Sequence, residues 1–108
     1  MTNNTTDMLE KMRQVAEWLG SKHLRTIAKA HPSNDLAILF ASLARAEMAK
    51  KGFYCISDIS VGLVDFYCRD GTWITDLNYK PKCALSEAHA VIEAIWEVME
   101  GGRHDSVL

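Results

Sequence analysis

The sequence predicts an α+β domain of order α-α-α-β-β-β-α, in which helices cover one face of a three-stranded antiparallel meander. Three observations carry that prediction. Apolar residues recur at helical spacing from Met8 to about Lys50. Residues 53–77 are rich in β-branched and aromatic side chains around an Asp70-Gly71 turn. An alanine-rich, isoleucine-bearing stretch with helical character follows from about Leu85. The chain has 108 residues, 48% hydrophobic and 24% charged, which suits one domain with one core and excludes disorder over most of its length.

Residues 1–6 (MTNNTT) are polar and without periodicity, and read as a loose tail. Asp7 can cap a first helix, with Glu10 as its capping-box partner. Met8, Leu9, Met12, Val15, Ala16 and Leu19 form the apolar stripe of that helix, and Gly20 suits a left-handed C-terminal cap. Ser21 can cap a short second helix to about Ala30, with Leu24, Ile27 and Ala28 inward and Pro32 ending it. Residues 7–31 thus form an accessory helical hairpin or extend the helical layer. Ser33 or Asn34 opens the third helix, which carries Leu36, Leu39, Phe40, Leu43 and Ala44 to about Lys50 before Gly52. Residues 33–100 then make an α-β-β-β-α core.

Phe53–Ile56 and Val61–Cys68 read as strands. Asp-Gly favours a two-residue hairpin turn. Such a turn sets Cys68 opposite Trp73, Tyr67 opposite Ile74, Phe66 opposite Thr75 and Asp65 opposite Asp76. Alternation then places Val64, Phe66, Cys68, Trp73, Thr75 and Leu77 on the core face. Asp65, Tyr67, Arg69, Thr72, Ile74 and Asp76 fall on the other. Asn78–Cys83 reads as a loop. The last helix runs from about Leu85 to Glu100, where Gly101-Gly102 ends it, and residues 103–108 fray.

No apolar run approaches the roughly 20 residues that cross a bilayer. The N-terminus has no basic region followed by an apolar stretch, so a cytoplasmic location is expected. Cys55, Cys68 and Cys83 are too widely spaced for a zinc knuckle. They read as reduced structural thiols, with a Cys55–Cys68 cross-strand disulfide as the alternative. No phosphate loop, nucleophile elbow, metalloprotease helix or dinucleotide fingerprint is present. His23, His31, His89 and His104 are scattered. The expectation is no catalytic residue, no cofactor and no metal.

Three surfaces remain as candidates. The last helix is apolar around more than a stripe, which reads first as burial between the sheet and the N-terminal helices; the sharper reading makes Ile92, Trp96 and Met99, with Trp18 on the first helix, a protein-binding or homodimer surface. Asp65 and Asp76, with Asp58 near them, form an acidic patch that reads first as solvated carboxylates neutralised by Arg69, Lys80 or Lys82; a surface for a basic partner and a divalent cation are the lesser readings. Lys22, Arg25 and Lys29 line one side of the second helix. Val15–Ser21 resembles the turn of a helix-turn-helix, with Ala16 four residues before Gly20. Nucleic-acid binding through residues 15–30 is therefore the alternative reading. In that motif Ser21 stands where an apolar residue is usual, and Ile27 falls one place late. Residues 1–51 carry a net charge of +3 and residues 52–108 a net charge of −5. The order of the third helix, strands and last helix resembles a double-stranded-RNA-binding domain, but the acidic charge of this half opposes phosphate.

Asp35-Leu36-Ala37 opening a helix, hairpins around Gly62 and Gly71, and Ser86–Ile92 opening an alanine-rich helix make residues 34–99 similar to the small phage proteins of the phage ABA sandwich domain type. The resemblance rests on element order and small residues. It implies a phage or prophage accessory protein in a bacterial cytoplasm, with a host protein, such as a defence component, as its partner. It implies no catalytic residue.

Overall fold

The computed structural model describes residues 4–30 and 33–100. The order is α1 (Asn4–Leu19), α2 (Lys22–Lys29), α3 (Asn34–Lys50), β1 (Phe53–Asp58), β2 (Leu63–Cys68), β3 (Leu77–Asn78) and α4 (Ala84–Met99). The strands form one antiparallel sheet in the order β1-β2-β3. This is the α+β arrangement the sequence predicts. No helix among the described residues is long and apolar enough to cross a membrane.

Local chemistry explains most boundaries. The Ser21 hydroxyl accepts from the Leu24 amide, and the Ser33 hydroxyl accepts from the Leu36 amide, so each serine satisfies an otherwise orphaned helix N–H. Gly20 adopts φ +69°, the left-handed geometry that stops α1 and turns the chain into α2. The start of α1 is a correction. The helix begins at Asn4, so Asp7 lies inside it and not at its cap. The proposed stops at Pro32 and Gly101-Gly102, residues 1–3 of the expected tail 1–6, and the tail 103–108 lie outside the described residues, while residues 4–6 are helical and not tail.

The core is built around α4. This helix packs against α1, α3, β2 and β3. Ala88, Ala90, Val91, Ile92, Ala94, Ile95 and Val98 are all buried, more than half the circumference of the helix. Its alanines share the core cluster with Ala41 and Ala44 of α3, and small side chains let the two helices approach closely. Val64 and Phe66 enter this core from the sheet, and Phe40 and Met48 enter from α3, all fully buried. The α1–α2 hairpin adds Met12, Val15, Leu19 and Leu24 to the same cluster. It packs on α3 and α4, extending the helical side of the domain.

The second hairpin departs from the predicted register at its tip. The Gly71 amide donates to the Cys68 carbonyl at 2.9 Å, and the Cys68 amide to the Thr72 carbonyl at 2.8 Å. The loop therefore holds three residues, Arg69-Asp70-Gly71, with Gly71 at φ +91°. That extra residue sets Tyr67 opposite Trp73, not Ile74. A bulge then absorbs the slip: the amides of Ile74 and Thr75 both donate to the Phe66 carbonyl. The predicted register returns at Val64–Leu77. Two predicted positions consequently exchange faces. Trp73 is outside, 56% exposed, and Ile74 turns in to pack on the core. Thr75 stays inside, where its hydroxyl accepts from the Phe66 amide at 2.8 Å.

This register predicts the effects of two substitutions. Ile92→Ala should cost about 2–5 kcal/mol, as for a fully buried aliphatic residue. Trp73→Ala should cost under about 1 kcal/mol, as for an exposed surface residue. Urea unfolding at constant slope measures both.

Candidate interaction surface

The predicted apolar contact residues do not form one surface. Ile92 is fully buried and is a core residue, which corrects its place among the partner contacts. Trp96 is partly buried and ties α4 to α1. Its indole N–H donates to Gln14 Oε1 at 3.0 Å, and the Lys11 ammonium lies 4.8 Å from its ring centroid. Lys11 also pairs with Glu93. Met99 and Trp18 line a shallow open groove between the ends of α1 and α4. Trp18 is 36% exposed, with the Lys51 ammonium 5.5 Å from its ring.

The basic stripe on α2 is partly neutralised. Lys22 and Lys29 are exposed. Arg25 instead reaches back to Glu17 on α1 at 4.0 Å.

The cysteines are free. Cys55 lies opposite Phe66, and Cys68 opposite Phe53, so the alternative cross-strand disulfide does not arise.

A different surface is assembled on the sheet. All four helices lie on its inner side, so the outer face of the described residues has no element over it. Alternation from the buried Val64 and Phe66 assigns Tyr54, Ile56, Asp58, Leu63, Asp65 and Tyr67 to that face. The slip at the hairpin tip adds Trp73. The three rings then run in a row across the strands. Tyr54 and Tyr67 have centroids 5.7 Å apart at 39°, and Tyr67 and Trp73 lie 5.2 Å apart at 57°, both within the range of attractive tilted contacts. Arg69 donates to the Tyr54 hydroxyl at 3.3 Å and closes the loop end of the row.

The acidic residues meet this row. Asp65 and Asp76 are close enough to act on one another, as the hairpin register predicts. The Oδ1 atom of Asp65 is shut off from solvent and accepts no hydrogen bond. Burial first, and then the neighbouring Asp76 charge, push the Asp65 carboxyl above the usual carboxylate range; the Leu77 amide pulls the other way. No ion pair among the described residues reaches either aspartate. Asp58 stands apart. It holds the amide and hydroxyl of Ser60, and those bonds lower its pKa. Among the described residues no group of three or more His, Cys, Asp or Glu side chains could hold a metal ion, so the three aspartates do not converge.

Sequence reasoning named Asp65 and Asp76 but missed Tyr54, Tyr67 and Trp73 as a unit. Tyr67 was assignable to the outer face by alternation. Trp73 was not, because Asp-Gly serves both two-residue and three-residue loops. Comparison with known protein families, with curated proteins and with solved structures gives no match.

The raised pKa of Asp65 fixes the sign of a pH effect. A carboxyl whose folded pKa exceeds its unfolded value destabilises the fold while ionised, and that penalty fades as pH falls through the folded value. Asp65→Asn should therefore raise the melting temperature at pH 7, and the gain should shrink towards zero below pH ~4. Paired thermal melts of the two proteins across that range test it.

Proposed function

We propose that this chain is a non-enzymatic protein-binding module whose contact surface is the bare outer face of the sheet. The observation that carries the reading is the row Tyr54–Tyr67–Trp73 beside two carboxylates that no ion pair among the described residues engages. Tyrosine and tryptophan supply large contact area at low entropic cost, and both are enriched in protein interfaces. Aromatic faces also attract cations. Asp65 and Asp76 add negative charge at the same place. The partner that fits is a protein segment presenting arginine or lysine, with its alkyl stem on the rings and its charge on the carboxylates. In the setting implied by the phage resemblance, the module acts in a bacterial cytoplasm and the partner is a host protein.

Nucleic acid fits this face poorly. Sheets that stack bases combine aromatic rings with a positive groove, and this one carries aspartates.

Titration of the ¹⁵N-labelled chain with a hexa-arginine peptide tests the reading. Shift changes should centre on Tyr54, Asp65, Tyr67, Trp73 and Asp76, and a hexa-glutamate peptide should leave them unmoved. Trp73→Ala and the pair Asp65→Asn with Asp76→Asn should each weaken the arginine peptide at least about ten-fold, a loss of about 1.4 kcal/mol. Changes centred elsewhere, or none, would overturn the proposal. A DNA duplex that shifts Lys22, Arg25 and Lys29 would support the helix-turn-helix alternative instead.

A further inference from the structure

The two edges of the sheet are built differently. β3 is two residues long, follows a bulge, and is succeeded by Lys80, Pro81 and Lys82. Shortness, bulges, lysine and proline are the usual devices that keep an edge from pairing with another chain. β1 (Phe53-Tyr54-Cys55-Ile56-Ser57-Asp58) has none of them.

The hydrogen-bond pattern shows which groups that edge presents. The Cys68 amide and the Phe66 carbonyl bond towards the third strand. Alternation along an antiparallel strand then turns the backbone groups of Leu63, Asp65 and Tyr67 towards β1. Their partners Asp58, Ile56 and Tyr54 are used in that ladder. Phe53, Cys55 and Ser57 therefore direct their N–H and C=O groups to the open edge. Among the described residues nothing pairs with them. Their side chains point to the core face but are only partly buried, so α3 does not seal this margin. Ile56 on the outer face is 45% exposed.

We propose that two copies of this chain pair through their β1 edges, antiparallel about Cys55, into one continuous six-stranded sheet. The strand is self-complementary in that register. Cys55 meets Cys55 of the second copy, and Phe53 meets Ser57 in both directions, so each outward residue exchanges two backbone bonds with its opposite. On the outer face Tyr54 lies opposite Ile56 of the second copy, a favourable aromatic and β-branched pair that covers the exposed isoleucine. On the core side the pairing covers Phe53 and Cys55. The ends match in charge: the Lys50-Lys51 end of one copy lies beside the Asp58 end of the other. The dimer sets two aromatic rows side by side on one surface. Its interface is the sheet edge and stands independently of what the outer face binds.

Two measurements test the pairing. Light scattering should give twice the 12.1 kDa chain mass, falling to the single-chain mass in Ser57→Pro. That proline removes an N–H that points to the open edge and leaves the β1–β2 ladder intact. A native-like circular dichroism spectrum and a cooperative thermal melt would confirm that the variant is folded. Separately, in the Cys68→Ser, Cys83→Ser background, mild oxidation should link Cys55 to Cys55 as a disulfide, because opposed residues in such a ladder have Cα atoms about 5.5 Å apart. A chain that stays monomeric up to millimolar concentration would overturn the proposal. So would a dimer that survives Ser57→Pro and does not cross-link at Cys55, since its interface would lie elsewhere.

Discussion

The burial of α4 on several sides at once is the constraint from which the rest of the structure follows. A helix with seven buried residues spread around more than half its circumference must be enclosed. The sheet encloses one side, α3 a second, and α1 a third. Alanines at the α3–α4 contact permit that crowding. All the helical mass is thereby drawn to one side of a three-stranded sheet. The sheet's inner face is filled, and its outer face is left to solvent. The candidate surface is a consequence of how the core closes.

The polar contacts between α1 and α4 belong to the same constraint. Lys11, Gln14, Glu93 and Trp96 meet at the margin where α4 leaves the core. The indole N–H of a partly buried tryptophan needs an acceptor, and Gln14 supplies it. The helical hairpin is therefore fastened to the domain by both an apolar stripe and a polar rim. The hairpin is part of the one core, which answers the question its sequence leaves open. It also gives Trp96 a role inside the domain, through Gln14 and Lys11.

Much of the fold was legible in the residues. Ser21 and Ser33 announced two helices because a hydroxyl before a helical stripe has one strong use. Gly20 and Gly52 announced two stops, and both adopt positive φ. The start of α1 was hidden, since Asn4, Thr5 and Thr6 have no apolar period to mark a helix. The hairpin was half legible. Asp70-Gly71 located the turn, and the Asp65–Asp76 encounter followed from it. The loop length did not follow, because glycine at positive φ serves both loop types. The bulge depends on Thr75, whose hydroxyl replaces a backbone partner for the Phe66 amide. Side-chain substitution of that kind leaves no periodic trace. One residue of slip was enough to move Trp73 from the core to the surface, and with it the candidate site.

The central claim is that Trp73 lies on a bare sheet face with all the helices behind it. Collisional quenching isolates that claim in the Trp18→Phe, Trp96→Phe chain, where Trp73 is the one remaining indole. The account predicts red-shifted emission that neutral acrylamide quenches readily, with iodide less effective because Asp65 and Asp76 repel an anion. Blue-shifted emission protected from both quenchers would place Trp73 in the core and contradict it.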